Sequence, residues 1–311
     1  MNPDPKILVI QPLPGIGDLF WFDAALQSLS RFYKAPLTLL TKRQSQAQHL
    51  YKNSPYVKEI LWVERPGRHG GFLGWMPLAF FLWRKKFSVV WIFHKSWTYR
   101  WACKLAGIPT VISYPADLRW LKMHPIERAT LLLEKQGIPL LREPKFSVSE
   151  TAKKHVKKKL LSYKKPWVAI GIGGTEPSKK WGSSHWEDLA VWLSRSQKMS
   201  VFLLGGPKER IEAAEMVLTI KNKGGEAVAL TQFSLQESLA FLHQVTFFVG
   251  NDTGMMNGAA VLNKPTVALF LSSPPLSYRS SLVAVKPMPD TQDILLSQVQ
   301  EAVDQILSSA K

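Results

Sequence analysis

Phe247-Phe248-Val249-Gly250-Asn251-Asp252-Thr253-Gly254-Met255-Met256-Asn257-Gly258-Ala259-Ala260 runs from an apolar segment, through small and polar residues, into a second apolar segment. Three apolar residues ahead of a glycine read as the end of a buried strand, here 247–249. The small-sided run after Gly254 predicts a helix over 255–262, poor in intrinsic propensity and therefore closely packed on a sheet. Asp252 and Thr253 are expected to cap that helix, while Gly250 and Gly254 let a ligand approach the backbone. Free N–H groups at such a helix start attract anions. A capped helix without a ligand is the bland alternative.

The next apolar run, 266–270, makes the segment a β-α-β unit, and the same alternation extends both ways. Strands are expected at 7–12, 37–41, 59–63, 88–93 and 110–113, then at 167–171, 201–204 and 227–230. Helices are expected at 18–33, 97–106 and 125–136, then at 183–196, 207–221, 235–244 and 292–308. No internal repeat is visible. Residues 137–165 read as a connection followed by one exposed basic helix. The fold class is therefore α/β, with two doubly wound Rossmann-like lobes facing across a cleft. The boundaries are 1–150, 151–290 and a C-terminal helix at 291–311. Ligands of such sheets sit outside the carboxyl ends of the strands.

Two further motifs lie at such ends. Pro12-Leu13-Pro14-Gly15-Ile16-Gly17-Asp18 follows the first strand. It is not a dinucleotide fingerprint, because Phe20 stands where the third glycine would fall and Thr41-Lys42 lacks the ribose-binding acid. Asp18 suits first of all a first-turn helix residue favoured by the helix dipole, and an acid on a tight turn is also where a general base could sit. Gly171-Ile172-Gly173-Gly174-Thr175-Glu176-Pro177-Ser178-Lys179-Lys180-Trp181 is a glycine-rich turn with a hydroxyl and two lysines that can hold phosphate oxygens. It lacks Walker spacing, and a solvated basic loop is its alternative.

The bulk numbers bound the function. The chain has 311 residues, 46% hydrophobic and 20% charged, with a formal charge of +17. Residues 1–165 hold 28 Lys and Arg against 10 Asp and Glu, whereas 166–311 hold 12 against 13. The basic excess favours an anionic partner: nucleic acid, an anionic lipid surface or a phosphorylated acceptor. No nucleic-acid recognition motif accompanies it. The single cysteine, Cys103, fits a reducing, cytoplasmic compartment and reads as a buried inert thiol in a helix. Residues 1–6 lack the marks of a secretory signal, and the longest uncharged run, 70–83, falls short of the roughly 20 residues that span a bilayer. Residues 70–86, with Trp75 and Trp83 beside Arg84-Lys85-Lys86, read either as an interfacial segment in peripheral contact with the inner membrane or as a core helix. The seven histidines show no metal-ligand spacing, so neither a metal nor another cofactor is expected.

Taken together, the three loops resemble glycosyltransferase family 9, the heptosyltransferases of the lipopolysaccharide inner core. The resemblance covers most of the chain and is strongest from Gly250 through Ala260 and at Lys264-Pro265-Thr266-Val267-Ala268-Leu269-Phe270. Lys179-x-Trp181 with His185-Trp186 looks like the family's phosphate-contacting segment, and Gly17-Asp18 like its first-loop acid. The resemblance implies a GT-B fold and metal-independent, inverting transfer from a nucleotide-sugar donor, usually ADP-heptose. Asp18 would deprotonate the acceptor hydroxyl. Thr175, Lys179 and the N–H groups at Asp252, Thr253 and Gly254 would neutralise the departing diphosphate. The acceptor would be an anionic, lipid-linked glycan, with Arg65, Arg68, Arg119 and Lys122 as contacts.

The chain departs from the family pattern at three places. Met255-Met256-Asn257 replaces Pro-Met-His, Leu271-Ser272-Ser273 replaces a Gly-Pro-Thr turn, and Trp21 replaces a frequent histidine. These changes leave room for a catalytically weak nucleotide- or glycan-binding protein. A sugar-nucleotide epimerase is a further enzymatic rival.

Overall fold

Ile7-Leu8-Val9-Ile10 has no solvent-exposed side chain, which suits only the middle of a sheet covered on both faces. The computed structural model describes residues 5–64, 67, 69, 73–141, 144–174, 176–276, 278–289 and 293–309. The chain divides into two units, Met1–Ser147 and Val148–Lys311.

In the first unit the described elements run β1 (Ile7–Ile10), α1 (Ile16–Tyr33), β2 (Leu37–Thr41), α2 (Ala47–Leu50) and β3 (Val57–Trp62). They continue with α3 (Trp75–Trp83), β4 (Val89–Ile92), α4 (Trp97–Leu105), β5 (Thr110–Ser113), α5 (Leu118–Lys122) and α6 (Pro125–Glu134). The sheet order is β3-β2-β1-β4-β5, every pair parallel. The strand order reverses between β1 and β4, so the switch point lies at the carboxyl end of β1, where α1 begins. Helices α3 and α4 share one core with the sheet through Leu78, Leu82, Tyr99 and Cys103. Burial pushes the Cys103 thiol up to about 12, so it stays protonated and unreactive at neutral pH.

The second unit runs α7 (Glu150–Lys159), β6 (Trp167–Gly171), α8 (Ser183–Arg195), β7 (Ser200–Leu204), α9 (Arg210–Asn222) and β8 (Val228–Leu230). It ends with α10 (Leu235–Leu242), β9 (Phe247–Asn251), α11 (Gly254–Val261), β10 (Thr266–Leu269), β11 (Leu282–Val285) and α12 (Leu296–Ser309). Its parallel sheet has the order β11-β10-β9-β6-β7-β8, with the reversal between β6 and β9. Strand β11 is absent from the sequence expectation. It has only four residues, two of them half-exposed, behind the serine- and proline-rich stretch 272–281. The terminal helix α12 packs on α8, β10 and β11, so it belongs to the second unit.

Gly171 and Gly250 face each other in register across β6 and β9. A Cβ at Gly250 would stand 2.7 Å from the tip of the buried Phe248 ring and 2.9 Å from the Gly171 carbonyl. Both glycines thus leave room for a core ring, a packing reason for Gly250 that the sequence does not show. Gly250→Ala is expected to cost about 1–3 kcal/mol through overpacking. A urea melt of the purified variant checks this, with the midpoint falling and the slope unchanged.

Candidate functional site

In the first unit, α1 opens directly after the Pro- and Gly-containing turn that follows β1. The carboxylate of Asp18, in the first helical turn, accepts a hydrogen bond from the Gly15 N–H at 2.8 Å. That bond ties the turn to the helix. A Cβ at Gly15 would stand 2.8 Å from Asp18 Oδ2, so glycine is what allows the carboxylate to sit there. Burial raises the Asp18 carboxyl above its ordinary 3.8, and the Gly15 N–H partly opposes the shift. The helix carries a second acid, Asp23, but it is fully buried and accepts from Tyr56 at 2.6 Å and Gln27 at 2.8 Å. Asp23 is a structural group; Asp18 keeps partial access to solvent. One turn beyond Asp18, Trp21 meets His124 edge to face at 4.8 Å between ring centres, filling the place where the family often has a histidine.

The basic residues divide. Arg65 and Arg68 lie outside the described residues. Arg119 is exposed and forms a salt bridge with Asp117 at 2.9 Å, next to the cap of the short helix α5, and Lys122 is exposed at its end. A concave site of about 290 Å³ lies beside them, walled by Lys95, Arg100, Tyr114, Trp120 and Arg128. The Arg128 guanidinium stands 5.4 Å over the Tyr114 ring. Among the described residues, Arg128 Nε and the Tyr114 hydroxyl are buried without a hydrogen-bond partner. Three cations around one aromatic hollow suit an anionic group. The sequence reading missed this set because its members are spread over 95–128 on three helices and two loops.

In the second unit the loops at the carboxyl ends of β6 and β9 are joined by one side chain. Asn251, fully buried, accepts from the Trp181 N–H at 3.2 Å and donates to the Gly173 carbonyl at 3.1 Å. Trp181 in turn stacks on His185 at 4.9 Å, meets Trp186 edge-on at 4.7 Å and donates its indole N–H to the Ile294 carbonyl at 2.7 Å. The Lys179-x-Trp181 segment is thereby fixed to β9. Thr175 lies outside the described residues. Lys179 reaches Glu176 at 3.5 Å, a long and partly exposed ion pair that an anion can replace. Lys180 is engaged with Glu212 at 3.2 Å, and Ser183 shares that carboxylate at 2.9 Å, so Lys180 belongs to the scaffold.

The capping expectation at α11 is corrected. Thr253 is the N-cap residue, but its hydroxyl makes no cap hydrogen bond. Asp252 accepts from the Ser273 hydroxyl at 2.6 Å instead. Ser273 belongs to the stretch that departs from the family turn, and it supplies this contact. A glycine pair at the end of β7 also escaped the sequence reading: Gly206 N–H donates to Glu209 at 2.8 Å beside the same loops. Among the described residues, no three His, Cys, Asp or Glu side chains gather as a metal-ligand set. No helix there is long and apolar enough to cross a membrane.

Two parallel doubly wound sheets, with glycine loops, a fixed lysine and an uncapped helix start at one strand end, define an α/β protein of the GT-B fold. Solved structures share that fold. A family 9 glycosyltransferase from Veillonella parvula superposes with a TM-score of 0.82 at 18% identity, covering 99% of both chains. Escherichia coli ADP-heptose lipopolysaccharide heptosyltransferase II superposes with a TM-score of 0.77 at 22% identity, over 98% of this chain and 99% of that one. In sequence, lipopolysaccharide heptosyltransferase 2 of Escherichia coli K12 is 24% identical over 315 aligned positions, 89% of this chain and 87% of the relative. The family model of glycosyltransferase family 9 (heptosyltransferase) matches residues 98–307. The chain belongs to this family, and it is a glycosyltransferase.

Proposed function

We propose that the chain transfers a heptose from ADP-heptose to a hydroxyl of a phosphorylated, lipid-linked lipopolysaccharide-core acceptor, with inversion at the anomeric carbon and without a metal ion. The observation that carries the reading is Asp18, a half-buried carboxylate held by Gly15 at the switch point and shifted toward neutrality by burial. The acceptor oxygen forms a bond to the anomeric carbon as the bond from that carbon to the diphosphate breaks. The hydroxyl proton goes to Asp18, and the bonding pair leaves with the nucleoside diphosphate. Lys179, the Thr175 hydroxyl and the N–H groups of Thr253 and Gly254 take the charge that develops on the leaving oxygens, whereas the Asp252 N–H, counted with them from the sequence, is engaged by the Leu269 carbonyl at 3.1 Å. Lys95, Arg100 and Arg128 join Arg65, Arg68, Arg119 and Lys122 as candidate holders of the acceptor's anionic groups. The donor and the lipid-linked acceptor meet, on this reading, at the cytoplasmic face of the inner membrane.

The binding-protein alternative drew on the altered residues after Gly254. Met256 is fully buried, and Asn257 donates to the Thr253 carbonyl at 3.0 Å while accepting from the Tyr278 hydroxyl at 2.6 Å. Met256 keeps the family's methionine, and the change at Asn257 is accounted for by a brace across the loop, which favours the enzyme. The test is to incubate the chain with ADP-heptose and heptose-deficient lipopolysaccharide, then follow ADP release and product mass. ADP binding without product would leave the binding protein standing. Lys179→Met is expected to weaken ADP binding about ten- to hundred-fold, the worth of one charge-assisted contact, as read by titration calorimetry.

A further inference from the structure

Residues 65–116 contain eight Lys and Arg and no Asp or Glu, and this stretch carries α3 and α4. The two helices pack on each other and bury their inner faces in one core. Their outer faces are apolar as well. On α3, Met76, Phe80 and Trp83 recur at i, i+4 and i+7, with Phe80 57% and Trp83 59% exposed and their rings stacked at 5.9 Å. On α4, Trp101 and Leu105 lie one turn apart, 55% and 60% exposed, and the Lys104 ammonium stands 5.8 Å over the Trp101 ring. Arg84, Lys86 and Lys104 rim these stripes and are exposed. Large apolar side chains gathered on adjoining helices of one unit mark an interaction surface.

We propose that the outer faces of α3 and α4 dock the protein on a bilayer with anionic headgroups. Phe80, Trp83 and Trp101 enter the interfacial zone, where amphipathic rings are favoured, and Arg84, Lys86 and Lys104 meet the headgroups. Charge selects this occupant over a second copy of the chain. A twofold contact through the same patch would set cationic rim against cationic rim, with no acid in the stretch to offset it. The surface takes its purpose from the lipid-linked acceptor read above, but its test needs no sugar transfer.

The full chain is floated with vesicles of phosphatidylethanolamine and phosphatidylglycerol, and separately with phosphatidylcholine vesicles. Binding to the anionic vesicles is expected to be at least about ten-fold tighter, to fall with added salt and to shift tryptophan emission to the blue. Phe80→Ser with Trp101→Ser should lose binding at least about ten-fold while melting as the wild type does. Lys86→Glu with Lys104→Glu should abolish the preference for anionic lipid without touching an apolar group. Loss of vesicle binding with transfer to a detergent-solubilised acceptor intact supports the surface. Equal binding by either variant, or no binding by the wild type, overturns it. A wild-type dimer in sedimentation that the serine pair breaks also overturns it, giving the face to a second copy.

Discussion

Asp18→Asn is expected to lower the turnover of heptose transfer by about 10²- to 10⁴-fold, the usual worth of a positioned general base. ADP affinity should stay as in the wild type, since the loops proposed to hold the donor belong to the other unit. The substitution keeps the size of the side chain, and an amide oxygen can still accept from Gly15 N–H, so the turn is preserved. Steady-state kinetics alongside calorimetry with ADP separates the two effects. The pH dependence follows from the raised carboxyl. The base form is populated only above that raised value, so the acid limb of kcat/KM lies above 3.8 and disappears in the variant. Stability carries the opposite sign. A carboxyl raised by folding contributes stability below its unfolded value and loses it as pH rises through the folded one. At neutral pH the ionised Asp18 is therefore a burden on the fold, and Asp18→Asn should melt at or above the wild-type temperature. Lower activity accompanied by a lower melting temperature would point to misfolding and would count against Asp18 as the base.

The largest expected effect on stability is at Asn251. Asn251→Ala strands the Trp181 N–H and the Gly173 carbonyl, both satisfied by one buried carboxamide. Each buried polar group left unpaired costs about 1–3 kcal/mol, so the variant should lose about 2–6 kcal/mol in urea unfolding. Asn251→Asp is predicted to fare no better. Its carboxylate can accept from Trp181, but it faces the Gly173 carbonyl and carries a buried charge. Because Lys179 lies two residues before Trp181, ADP affinity should fall together with stability. An unchanged urea midpoint in Asn251→Ala would refute the brace.

The βαβ alternation and the order of the loops were legible because buried parallel strands write themselves as short apolar runs. Strands at 37–41, 110–113 and 167–171 needed no adjustment. Strand β11 was not legible, since it follows the serine- and proline-rich stretch 272–281 instead of the helical pattern that precedes most other strands. At the proposed site, Asp18 and the 250–254 loop stand out in the sequence through turn chemistry. The role of Asn251 was not, because nothing in its neighbours announces that it spans two strands. The packing reason for Gly250 was not legible either. A glycine that makes room for a ring and one that makes room for a ligand look alike until the ring is placed. Lys180 and Lys179 are adjacent in sequence, and only the position of Glu212 separates scaffold from candidate contact. The set around Arg128 is tertiary and has no local signal.

The brace between Asn257, Thr253 and Tyr278 also bears on how the molecule ages chemically. Asn257 is followed by Gly258, the pairing in which an unhindered backbone nitrogen attacks the neighbouring carboxamide and deamidates it most readily. Here the carboxamide is held at both ends, and the Gly258 nitrogen lies inside α11, out of line for attack. Spontaneous conversion at this position is thereby confined to chains in which the helix has opened. A preparation carrying aspartate or isoaspartate at 257 would therefore record a history of unfolding in this unit rather than mere time in storage.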